Sequence, residues 1–70
     1  EDGSVKAYYD SQLQKVVLPE VGTAYIYSVS GTLIKQVMNV EFVDMSDLPA
    51  GVYVVRGVLA SGEQMIKVLK

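Results

Sequence analysis

Asp44-Met45-Ser46-Asp47-Leu48-Pro49-Ala50-Gly51-Val52-Tyr53-Val54-Val55-Arg56 is the stretch that decides the fold. Its first half reads as a turn. Pro49 fixes φ and has no N–H for a ladder, and Gly51 tolerates a positive φ. Asp44 and Asp47 are residue types that bond the backbone of such turns. The run from Val52 to Val55 is β-branched and aromatic, which favours an extended, half-buried strand.

Working outward, the same alternation of strand and turn recurs. Apolar or alternating segments occupy residues 5–9, 13–18, 23–29, 33–38, 40–45, 52–59 and 64–69. Pro19-Glu20-Val21-Gly22, Ser30-Gly31, Asn39, residues 47–51 and Ala60-Ser61-Gly62-Glu63 separate the later ones. Ser30-Gly31 reads as a two-residue hairpin loop, with Gly31 as its structural turn glycine. Turn signals about every ten residues predict an all-β fold of about seven short strands, a small antiparallel sandwich or barrel. A helix is the losing alternative. Leu33, Val37 and Val40 could share a helical face, but Asn39 interrupts and no such pattern is sustained. In the sixth segment Tyr53, Val55, Gly57 and Leu59 share one face. Arg56 marks the other face as wet, so Tyr53 and Val55 are expected inside. Both faces are rich in valine, and a strand apolar on both sides is either sandwiched or unpartnered.

Composition narrows the function classes. Seventy residues suit one small domain. Half of them are hydrophobic and thirteen are valine, which is too apolar for disorder and favours strands. No apolar run approaches the ~20 residues of a transmembrane helix. Glu1-Asp2-Gly3-Ser4 is polar and acidic, unlike a signal peptide, and reads as a linker remnant before a domain at residues 5–70. A net charge of −2 carries no polycationic footprint for nucleic acid.

Cysteine and histidine are both absent, which removes disulfides, thiolate–metal sites and most acid–base or nucleophilic constellations. No enzyme, cofactor or metal site is expected. Glu41, Asp44 and Asp47 offer oxygen ligands of the kind calcium takes, but their spacing matches no known loop. Turn chemistry, with Asp44 as a structural turn residue, is the plainer reading. Tyr8, Tyr9, Tyr25 and Tyr27 could form a carbohydrate or protein platform, or serve as core and cross-strand pairs.

Four blocks in one order carry a resemblance. They are Ala24-Tyr25-Ile26-Tyr27-Ser28-Val29-Ser30-Gly31-Thr32-Leu33-Ile34, then Val43-Asp44-Met45-Ser46-Asp47, then residues 48–56, then Lys67-Val68-Leu69-Lys70. Together they resemble the C-terminal sorting domain, type A, of the type IX (Por) secretion system, over residues 23–70. The Leu-Pro-Ala-Gly-x-Tyr block and the basic–aliphatic end are its most specific parts. Two departures stand out. The start reads Tyr8-Tyr9-Asp10-Ser11 where the family often has a Tyr-Pro-Asn-Pro-like motif, and Gly57 stands where an apolar strand residue is usual. A glycine there marks a bulge or a close backbone approach.

The resemblance implies an Ig-like β-sandwich that acts as a secretion signal for a cargo domain N-terminal to it. The parent protein would pass from the periplasm through the outer-membrane translocon to the cell surface or medium. Its partners would be the translocon, an outer-membrane shuttle protein and a cell-surface sortase that usually removes the domain. Some machinery components keep such a domain uncleaved. The recognition residues implied are Leu48, Pro49, Ala50, Gly51, Tyr53, Lys67, Val68, Leu69 and Lys70. In mechanism, the last strand is expected at a sheet edge that a receptor strand can pair with, Lys67 and Lys70 supplying charge and Val68 and Leu69 an apolar handle. An adhesion or carbohydrate-binding module and a plain spacer domain are the alternatives. The apolar excess also suggests a strand-exchanged homodimer.

Overall fold

The computed structural model describes residues 6–70. The linker expected at residues 1–4 and the first residue of the first segment, Val5, lie outside the described residues. Every regular element described is a strand: β1 (Tyr8–Asp10), β2 (Lys15–Ser28), β3 (Leu33–Asp44), β4 (Val52–Leu59) and β5 (Gly62–Leu69). All neighbours are antiparallel and belong to one curled sheet, in the order β1-β2-β4-β5 with β3 on β2.

β2 is the organising strand. Its residues 15–17 pair with β1 and β3, and its residues 22–28 pair with β3 and β4. Since β3 holds one edge along both halves, β1 and β4 share the other. The first strand therefore lies beside one end of β2 and the β4–β5 hairpin beside the other.

The expected seven short strands are thus corrected to five, two of them long. The segments at 13–18 and 23–29 are halves of β2, and those at 33–38 and 40–45 are halves of β3. Pro19 does not end β2 because it sits in a bulge. The ladder jumps from Val17↔Phe42 to Gly22↔Val40, so residues 18–21 oppose Glu41 alone. A proline whose position lies off the ladder forfeits no sheet bond. Asn39 does not end β3 for a related reason. It takes φ 62° inside a second register shift, where asparagine tolerates the left-handed region.

The turns also differ in detail. The expected Ser30-Gly31 loop is four residues, 29–32, closed by Ser28 N–H to the Thr32 carbonyl at 2.8 Å. Gly31 has φ 96° and donates to the Ser28 carbonyl at 2.9 Å, so its turn role stands. The last turn is tighter than expected: Leu59 faces Gly62, leaving Ala60-Ser61 as the loop. Between β1 and β2, the Asp10 carboxylate accepts the Gln12 and Leu13 amides.

The core is built from the concave side of the curl: Val16, Leu18, Ala24 and Ile26 from β2, Val43 from β3, Tyr53, Val55 and Leu59 from β4, Val68 from β5, and Ala7 and Met45 from flanking chain. Tyr53 and Val55 point inward as the strand periodicity requires. Two glycines let the layers close. Gly57 marks no bulge in either ladder; a Cβ there would lie 3.3 Å from Leu18 Cδ2, so the glycine makes room for a core side chain in place of the backbone approach expected. A Cβ on Gly22 would lie 2.5 Å from the Val58 carbonyl oxygen. Polar clasps finish the curl. The Ala7 amide donates to Gln64 Oε1 at 2.8 Å, and the Glu20 carboxylate accepts the Ser61 amide at 3.1 Å and its hydroxyl.

Candidate functional site

The nine suspected recognition residues come from two stretches that a turn and two strands separate, and the sheet register brings them to one end of the molecule. β4 and β5 pair without interruption from Val52↔Leu69 to Leu59↔Gly62. At the open end of that hairpin Gly51 and Lys70 exchange both backbone hydrogen bonds, each 2.8 Å. The Lys70 ammonium then reaches the Leu48 carbonyl at 2.6 Å. The Tyr53 hydroxyl donates to the Pro49 carbonyl at 2.5 Å. The 48–51 loop is therefore held by backbone, phenol and ammonium at once, which engage the carbonyls of Leu48, Pro49 and Gly51 and leave Pro49 and Ala50 exposed.

Its approach is anchored too. Met45 is fully buried and its amide donates to the Gln14 carbonyl at 2.8 Å. The Asp44 carboxylate accepts the Ser46 amide at 2.9 Å, the turn role expected of it. That backbone bond, followed by one to the Ser46 side chain, holds the Asp44 carboxyl below its ordinary value; Lys35 and Lys15 help from further away. The Lys35 ammonium bonds the Asp44 carbonyl at 3.1 Å and the Asp47 carboxylate at 3.0 Å. Asp44 and Asp47 thus have separate tasks, and among the described residues no acidic group of three comes together to hold a metal.

What the site presents is set by the period-two alternation of β5. Lys67 and Leu69 are exposed, and Pro49 and Ala50 with them. Val68 is 0% exposed and Tyr53 is 6% exposed, so both face the core. This corrects the expected apolar handle: Leu69, at 68% exposed, can offer one, and Val68 cannot. It also moves Lys70 from free charge to clasp. Leu48 packs half-buried against the core.

Beside this end lies the convex face of β2, β4 and β5, which sequence reading did not assemble. Tyr25 pairs with Arg56, whose guanidinium sits 5.2 Å from the ring centroid. Arg56 also bonds Glu63 across the hairpin. That bond first, and one to Tyr27 second, raise the arginine above its usual value. Val58, Met65 and Leu69 are exposed on the same face. Tyr8 stands apart on β1 and is exposed, while Tyr9 packs on the core. The four tyrosines therefore form no single platform.

Compared with protein-family models, curated proteins and solved structures, the chain matches none.

Proposed function

We propose that this chain is a sorting domain of the type IX kind: an export signal for the protein it belongs to, read by shape and by strand edge. The observation that carries the reading is the junction of the 48–51 loop with residues 67–70 through Gly51, Lys70 and Leu48. The two sequence blocks that most resemble the family are one surface. β5 offers an edge that a receptor strand can extend, and Lys67 and Leu69 flank it with a charge and an apolar side chain. The proposed partners are the outer-membrane translocon, a shuttle protein and the sortase, with the cargo domain N-terminal to this one. The Ig-like sandwich belongs to this reading as well. What supports it is that β2 and β3 each carry a bulge, a place where a long strand can bend from one layer to the next.

The test fuses residues 1–70 to a periplasmic reporter in a host with type IX machinery. The reporter is expected at the cell surface. A folded fusion that stays periplasmic overturns the proposal. Variants must respect the burial pattern. Lys67→Ala with Leu69→Ser is expected to block export with stability within about 0.5 kcal/mol of the parent, as exposed positions usually are. Val68→Ala instead costs about 1–2 kcal/mol through the cavity it leaves, and any export defect it shows reports folding. Glycan-array binding lost on Tyr25→Ala would favour the adhesion alternative; the Arg56 guanidinium already occupying that ring's surroundings argues against it.

A further inference from the structure

The free edge of β5 has a pattern that fits a second copy of itself. Because Gly51 and Lys70 exchange both backbone bonds, the alternating ladder turns Val68, Ile66 and Gln64 toward β4. Glu63, Met65, Lys67 and Leu69 then direct their N–H and C=O groups to the open side. Ala7 meets β5 through the Gln64 side chain, and among the described residues no strand pairs with that open side. The β4–β5 register has no bulge, so this edge is regular. The other long edge, on β3, carries an extra residue at two of its register shifts with β2, and at one of them Asn39 takes φ 62°. Bulges of that sort protect an edge, and β5 lacks them.

We propose that two chains pair antiparallel through β5 about a two-fold axis at Met65. Keeping like faces together requires an even register, and among those the one centred on Met65 sets Glu63 of each chain opposite Lys67 of the other. Both contacts are reciprocal, as an isologous interface demands. Lys67 forms no ion pair among the described residues. Arg56 engages one carboxylate oxygen of Glu63, which leaves Oε1 for the incoming ammonium. Met65, 63% exposed, meets its counterpart on the axis. This is edge addition, not strand exchange, and each subunit keeps its own five strands. It stands apart from the sorting reading, since it needs no translocon.

Sedimentation equilibrium of the full chain, run up to about 1 mM, tests it in a concentration range where weak edge contacts register. A reversible dimer is expected. Glu63→Lys and Lys67→Glu, taken singly, set like charges opposite each other and are expected to weaken it about tenfold or more. Mixing those two variants restores complementarity, so native mass spectrometry should show the heterodimer in excess of either homodimer. Met65→Pro removes an outward N–H that β4 does not use and should leave a monomer with an unchanged β circular-dichroism spectrum. A wild-type chain that stays monomeric throughout overturns the proposal. So does a dimer indifferent to both charge reversals, or a mixture with no heterodimer preference.

Discussion

Gly22 and Gly57 are both strand glycines, yet their surroundings assign them different tolerances. A methyl on Gly22 meets the Val58 carbonyl, a backbone atom of the next strand that cannot step aside. A methyl on Gly57 meets the tip of Leu18, which can rotate. Gly22→Ala is therefore expected to cost about 1–3 kcal/mol and Gly57→Ala less than about 1 kcal/mol, read from urea midpoints at constant m. Equal losses at the two positions would contradict this packing. Asp44 gives a pH test. Its folded carboxyl lies below the unfolded value, chiefly because the Ser46 amide bonds the charged form. Its contribution is complete above the ordinary carboxylate value near 3.9 and is lost as pH falls through the lower folded value. Asp44→Ala should be less stable than the parent at neutral pH and converge on it in acid. A gap that widens on acidification would refute the assignment.

Strands explain what the amino-acid sequence made legible. β4 could be read to the residue, because a β-branched and aromatic run starts directly after the Pro49–Gly51 turn and Arg56 identifies the wet side. β2 and β3 could not, because Pro19 and Asn39 are strong breakers locally. Their effect was cancelled by bulges that exist only once the two strands pair. Val68 was misjudged as surface, although period two along Gln64, Ile66 and Val68 already placed it on the inner face. The meeting of Gly51 with Lys70 depends on a register between distant residues that no local pattern encodes. The same topology predicts an order of protection. β4 has a paired strand on each side, as does β2 from Gly22 to Ser28. Amide exchange should be slowest there and fastest in the three residues of β1. Equal protection across all five strands would disagree with this layering.

As a molecule, the chain balances a thin core against several polar clasps. Eleven buried hydrophobic residues line the inside of the curl, and no buried polar or charged side chain interrupts them among the described residues. The convex face keeps Met65, Leu69 and Val58 in solvent, which costs hydrophobic stabilisation and leaves surface to share. Pairing through β5 would fuse two such faces into one continuous sheet. Export and self-pairing then compete for one edge, so Met65→Pro should alter both, whereas the exposed loop residue Pro49 bears on export alone.

The Gly51–Lys70 pair also sets how this sheet yields to mechanical load. Tension applied at Lys70 acts at the open mouth of the hairpin, so it falls on a single rung: first Gly51 with Lys70, then Tyr53 with Val68, then Val55 with Ile66. A ribbon opened rung by rung gives way at low force, like a zip. Any machine that grips this end would meet the β4–β5 ladder at its mouth and open it inward from there.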